Sequence, residues 1–291
     1  MKPAPFELHA PVSLPEAFQL ATSLKNAKFL AGGQSLIAMM NFRFVQPDHL
    51  IDLQRIPELV GIEERVGVVR VGAMTRQREL EFSALIAQKL PLLRAGLAHV
   101  GHRQTRNRGT IGGSLSHADP SAELPLMALT CDAIVDVGSA RGLRRIPARE
   151  FLRGYLDVSI EADEIVLAVE FPLPPKNMGW DFQEFARRHG DFAITACAVQ
   201  LEFNGTSVSR AAIGLSGVSD TSIRLEQVEA ALVGKPIDAN IRRIVASQTD
   251  GLSPAADVHA SAEYRRHLAK MLTLRALKNA ALRAGQSIAG L

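Results

Sequence analysis

The sequence predicts an α+β protein of two or three packed units. Three patterns carry that expectation. Short strand-like runs alternate with helix signals through the first half. Two longer apolar runs, near residues 192–203 and 208–215, flank Asn204-Gly205. A helical repeat occupies the C-terminal end. Strands mixed with helices and including a hairpin mark the α+β class, and Asn-Gly between strand-like runs is a strong hairpin signal. With 291 residues, 47% of them hydrophobic, the chain can fill the cores of several units.

The elements follow in chain order. Ser13 and Glu16 form an S-x-x-E capping box, and Ala17, Phe18 and Ala21 share one face of the helix it opens. Lys28 to Ala31 reads as a strand running into Gly32-Gly33, and Leu50 to Asp52 as another. This first unit, residues 1–57, ends at Pro57. The second unit, 58–175, opens on a β-rich stretch, Val66 to Val71. A helix over Phe82 to Leu90 follows, interrupted at Pro91 and resumed over Leu92 to His99. His102 to Pro125 is rich in glycine and polar residues and reads as mostly loop. A short helix at Pro125 to Leu129 and strands at Ala133 to Val137 and Ile165 to Phe171 complete the unit, which Pro172, Pro174 and Pro175 close. The third unit, 176–291, holds the hairpin and helices near 225–232, 239–246 and 262–282. Its last residues, AGQSIAGL, read as a frayed end.

Composition excludes several classes. The formal net charge is only +3, with no Lys/Arg block and few aromatics, which argues against a nucleic-acid surface. Cys131 and Cys197 are too few for a cysteine-ligated iron–sulfur site or a structural zinc, and each reads as a buried small hydrophobe. The N-terminus lacks a signal-peptide apolar stretch, and no run of 18 apolar residues exists, so a cytoplasmic location is expected. Neither a G-x-G-x-x-G fingerprint nor a Walker A lysine loop occurs.

The chemistry points to two glycine segments, Ala31-Gly32-Gly33-Gln34-Ser35-Leu36 and the run from Thr110 through Gly112, Gly113 and Ser114 to Asp119 and Glu123. Glycine permits left-handed angles and close approach to a ligand, and successive amides can then turn around an anion. Taken singly, each segment reads as an ordinary tight turn; together they open a ligand reading. His102, Arg103, Arg106 and Arg108, just before the second segment, face either a partner subunit, a phosphate or plain solvent.

Four stretches in order, AGGQSLIAMMNFRFVQPDHLIDLQRIPEL, QTRNRGTIGGSLSHADPSAELP, RRHGDFAITACAVQL and SAEYRRHLAKMLTLRAL, carry a resemblance over nearly the whole chain. The chain resembles the medium, FAD-binding subunit of the xanthine dehydrogenase and carbon monoxide dehydrogenase family, the molybdenum hydroxylases. The resemblance implies two α/β subdomains of the vanillyl-alcohol oxidase-like type that hold noncovalent FAD. It also implies a small C-terminal domain with a three-stranded sheet and helices. The implied partners are a small [2Fe–2S] subunit and a large molybdopterin subunit, in a heterotrimer or its dimer. Electrons would pass from the iron–sulfur subunit through this chain to an external acceptor.

Carried over residue by residue, Ala31, Gly32, Gly33, Gln34, Ser35 and Leu36 match the first FAD loop. Thr110, Gly112, Gly113 and Ser114 match the second, with Ser114 where relatives often have Asn. Asp119 matches the motif aspartate near the adenosine ribose, and Glu123 stands where the family usually has Asp, near the flavin end. Both acids also suit helix capping, where negative charge is favourable without any ligand. Arg188, in the third stretch, falls where the family begins its first C-terminal strand beside the flavin ring; its alternative is a salt bridge to Asp191. His117 is the one histidine placed for a covalent tether, and the resemblance favours none. Two other readings stay open: a self-contained FAD-dependent oxidase or dehydrogenase, and a non-enzymatic α+β interaction module whose glycine segments are only turns.

Overall fold

The computed structural model describes residues 2–286; the tail expected to fray lies in part beyond them. The chain opens on β1 (Glu7–His9), β2 (Ala27–Leu30) and β3 (His49–Asp52), a wholly parallel sheet in the order β1-β3-β2. Parallel neighbours need crossovers, and helices Leu14–Ser23 and Leu36–Asn41 supply them. Half of the capping box forms at Leu14–Ser23: the Ser13 hydroxyl accepts from Glu16 N, while the Glu16 carboxylate reaches one residue past the cap and accepts from Val12 N at 2.8 Å. The helix buries Ala17 against Ile51, Ile56 and Leu59.

The chain then runs through β4 (Ile62–Arg65), β5 (Val68–Gly72), β6 (Ile134–Ser139), β7 (Gly142–Pro147), a small ribbon of β8 (Leu152–Gly154) and β9 (Asp157–Val158), and β10 (Ile165–Pro172). Five of these form an antiparallel sheet in the order β4-β5-β10-β6-β7. Central β10, IVLAVEFP, is buried along all but its last residue. Ile165 and Leu167 face the core of the first sheet, and Val166, Val169 and Phe171 the core on the opposite side. A strand covered on both faces has no polar alternation, which is why the sequence shows a continuous apolar run there.

The third sheet is antiparallel, with β11 (Gly179–Phe185), β12 (Thr195–Asn204), β13 (Ser207–Ser216) and a two-residue edge strand β14 (Ile223–Arg224) beside the three long strands expected. The Asn204-Gly205 turn is present, with Gly205 at φ 61°. Ala196 and Ala198 of β12 face the second unit, whereas Cys197, Val199 and Leu201 face helices Glu226–Leu232, Ile241–Asp250 and Ala262–Arg283.

The largest departure from the sequence expectation lies at His102–Pro125. The segment is mostly helical, with helices Arg103–Arg108, Ile111–His117 and Glu123–Thr130. The start of the third stretch is also displaced: residues 187–191 form the turn after β11 rather than the start of a strand. No described helix is long and apolar enough to cross a membrane.

Candidate functional site

The fold brings the two glycine segments into contact. The first leaves the C-terminal end of β2 and leads into helix Leu36–Asn41; the second opens helix Ile111–His117. A Cβ on Gly32 would lie 2.3 Å from the Arg108 carbonyl oxygen and 2.8 Å from Gly109 Cα. A Cβ on Gly113 would lie 3.2 Å from that of Ala31. Side chains here would force the segments apart, so glycine is required by approach. Gly33 is required by conformation instead, at φ +73°.

The backbone donors of the two segments have different fates. In the second, Ile111 N donates to Thr75 O at 3.3 Å, Gly112 N to Ala73 O at 2.8 Å and Ser114 N to Thr110 O at 3.1 Å. Gly113 N donates to the Thr110 hydroxyl at 3.1 Å, so Thr110 caps its own helix. Those amides are already satisfied. The glycines of the second segment serve packing, with a Gly112 Cβ 2.5 Å from that of Ala73. In the first segment, among the described residues, no protein acceptor takes the amides of Gly33, Gln34, Ser35 and Leu36. Ser35 stands at the N-cap of Leu36–Asn41 without capping it, which leaves its hydroxyl available. Gly33, Ser35 and Leu36 are half-buried, and donors so placed ordinarily find partners. Four successive open amides beside a free hydroxyl fit an anion such as a diphosphate.

Arg76 and Gln77 join the site unannounced by the sequence. Arg76 forms an antiparallel bridge with Thr110, and its guanidinium donates to the Arg108 carbonyl and, at 3.0 Å, to Gln54 Oε1. Burial, then the neighbouring Arg108 charge, lowers the Arg76 pKa from its ordinary value. Gln77 N donates to Gly109 O at 2.9 Å, and its buried Oε1 has no partner. Only the pairing of residues 34 apart creates this arrangement, so no local pattern could announce it.

Other candidates acquire specific partners. Asp119 accepts from Ser121 N at 2.8 Å, bracing the turn ahead of Glu123–Thr130 rather than capping that helix. Glu123 turns inward and is buried near the Glu184 carboxylate of β11. Burial first, and then the Glu184 charge, pushes its carboxyl up to about 8. His99 Nδ1 approaches Glu184 Oε1 at 3.4 Å from the other side. Arg188 is exposed, and its contact with Asp191 is through backbone, Asp191 N to Arg188 O at 3.1 Å. Burial lowers the pKa of His117, partly opposed by Asp119. Of the basic run, Arg106 is buried and structural: it pairs with Glu81 through two nitrogens and donates to Val100 O and Gly101 O. His102 lies under the turn of Gly190, where a Cβ would come 2.2 Å from its Nδ1.

Residues 4–174 match the family model of the FAD binding domain in molybdopterin dehydrogenase, and residues 180–280 that of the CO dehydrogenase flavoprotein C-terminal domain. The 6-hydroxypseudooxynicotine dehydrogenase complex subunit alpha of Paenarthrobacter nicotinovorans is 40% identical, over 98% of this chain and 97% of that one. The carbon monoxide dehydrogenase medium chain of Hydrogenophaga pseudoflava is 36% identical, over 96% and 98%. Among solved structures, carbon monoxide dehydrogenase from H. pseudoflava superposes with a TM-score of 0.95 at 38% identity, covering 97% of this chain and 99% of that one. Quinoline 2-oxidoreductase from Pseudomonas putida 86 gives 0.94 at 37%, covering 98% and 100%.

Proposed function

Because the chain belongs to the FAD-binding medium-subunit family of xanthine dehydrogenase and carbon monoxide dehydrogenase type molybdenum hydroxylases, we propose that it relays electrons from a [2Fe–2S] subunit to an external acceptor. Organic substrate is oxidised at molybdenum in a large partner subunit. The observation that carries this reading is the open donor set at Gly33–Leu36, walled by the second glycine segment. Bound there, FAD supplies a carrier that accepts electrons singly and releases them in pairs.

The chain's own residues bind and orient. The Gly33, Gln34, Ser35 and Leu36 amides and the Ser35 hydroxyl donate to the diphosphate. Gly32 and Gly113 allow the two segments to close. Arg76 and Arg108 offset its negative charge, and Thr110 and Ser114 add hydroxyls beside it. Ala31 and Leu36 supply apolar contact. Asp119 has a second carboxylate oxygen for the ribose, and Arg188 serves the flavin-ring end on the resemblance alone. Glu123, buried near the Glu184 carboxylate, serves the flavin end on the resemblance alone. Noncovalent binding suits the cysteines: burial pushes both thiols up to about 12, so neither offers a thiolate for a tether or for iron.

Gly33→Val tests the cradle. It strains φ +73° and meets Ile37 Cγ1, 3.1 Å from a Cβ. The folded variant should lose most of its FAD on gel filtration while wild type stays yellow. Retention at wild-type affinity overturns the assignment. The relay is tested by mixing the FAD-loaded chain anaerobically with organic substrates of the relatives: only the complete complex should bleach. Rapid reduction of the isolated chain would establish a self-contained flavoenzyme instead.

A further inference from the structure

We propose that Glu7, His9 and His49 form a binding site for a zinc-class divalent cation on the outer edge of the parallel sheet. In the pairing of β1 with β3, Glu7 lies opposite His49, and His9 follows two residues along on the same face. His9 Nε2 and His49 Nδ1 are 3.1 Å apart, and the Glu7 carboxylate lies 3.5 Å from His49 Nδ1 and 3.9 Å from His9 Nε2. All three ligand atoms lie within 4.8 Å of one another. Tetrahedral zinc with ordinary nitrogen and oxygen bond lengths separates its ligand atoms by about 3.3–3.5 Å. The observed separations bracket that value, so a common ion needs only small side-chain adjustments.

The donor set also suits the metal. Two imidazoles and one carboxylate are a borderline set that favours zinc over calcium or magnesium, which take oxygen. Both imidazoles are mostly covered while Glu7 is exposed, so the carboxylate closes the site from solvent. The backbone before His49 is fixed in advance. Glu7 N donates to Asp48 O at 2.9 Å, Asp48 N to Asn26 O at 3.1 Å, and Asn26 Nδ2 to Asp48 Oδ2 and Gln46 O. An ion there would tie the three-residue edge strand β1 to β3. It would act on the edge opposite β2, whose end carries the flavin-binding glycines, so its binding is separable from that of FAD.

The test is calorimetric titration of tag-free, full-length chain with zinc. A single saturable site is expected, accompanied by a zinc-dependent rise in Tm. His9→Gln and His49→Gln should each abolish that site. His267→Gln, on an exposed helical position, should leave it intact, and FAD content should be unchanged in all three. Circular dichroism checks the fold; if either histidine variant misfolds, Glu7→Gln decides, since its solvent-facing change must still weaken zinc. Absence of saturable binding in wild type, or its survival in Glu7→Gln and in the folded histidine variants alike, overturns the proposal and leaves a hydrogen-bonded histidine pair.

Discussion

At the scale of single residues, the same residue type serves different ends a few positions apart. Gly32 and Gly112 are needed because another backbone or side chain occupies the space of a Cβ, while Gly33 is needed for its left-handed angle. Glu123 shows how burial redirects a charged residue. Its carboxyl is raised from an unfolded value near 4.5 to about 8, by burial before the Glu184 charge. A raised folded pKa contributes stability that is fully present below the unfolded value and lost as pH rises through the folded one. Stability should therefore decline between pH 4.5 and pH 8 on this account. Glu123→Gln keeps the shape without the ionisation, so it should flatten that decline. Thermal melts at the two ends of the window check it: Tm should rise in the variant at the alkaline end and stay near wild type at the acid end. Equal changes at both ends would remove the account by burial and the Glu184 charge.

At the scale of elements, legibility depended on whether a segment's stability is local. Ala262–Arg283 is long, carries a Ser261 cap that accepts from Tyr264 N, and was readable from its sequence period. The β12–β13 hairpin was readable from Asn204-Gly205. The strand running into Gly32-Gly33 was readable as well, but the closed amides of the second segment and the contacts of Arg76 arise only from tertiary pairing. Ile111–His117 carries two adjacent glycines in its first turn, each costing about 1 kcal/mol in a helix, and so reads as loop. Contacts to Ala73 and Ala31 impose them. Strand β7 escaped because four of its first residues are exposed at a sheet edge, leaving no apolar alternation. The cap at Thr110 tests this view. Thr110 is buried, and Thr110→Ala would strand the Gly113 amide, costing about 1–2 kcal/mol. Flavin affinity should fall with it, because the wall behind the first segment loosens; Thr110→Ser should restore both. Full FAD affinity in a destabilised Thr110→Ala would separate the cap from the cradle.

At the scale of the whole molecule, the second and third units meet around helix Glu123–Thr130, which is buried at all eight positions. A helix apolar on every side has no solvent face to orient it, so its placement rests on neighbours. Gly214 of β13 admits it: a Cβ there would lie 2.2 Å from Thr130 Oγ1. At its C-terminal end, Asp132 is clasped by Arg210 and by Arg224. Half-buried Arg224 donates to Asp132 Oδ1 at 3.0 Å and Leu129 O at 3.2 Å on one side, and to Glu229 Oε1 at 2.6 Å on the other. Burial alone works to raise the Asp132 carboxyl, but Arg224 and Arg210 overcome it and hold the group below its ordinary value. A depressed folded pKa contributes stability present above the unfolded value of 3.8 and lost as pH falls through the folded one. Arg224→Met preserves the apolar stem but leaves Glu229 and Asp132 without their shared cation, a change that costs about 1–3 kcal/mol because the pair is only partly buried. Asp132 is partly exposed and keeps Arg210, so most of that loss falls on Glu229. The expected outcome in urea is a lower midpoint, with the third unit releasing before the rest and the transition broadening into two phases. The acid limb of stability should shrink as well. A single transition at the wild-type midpoint would show that apolar packing alone docks the C-terminal sheet, with Arg224 contributing nothing to the junction.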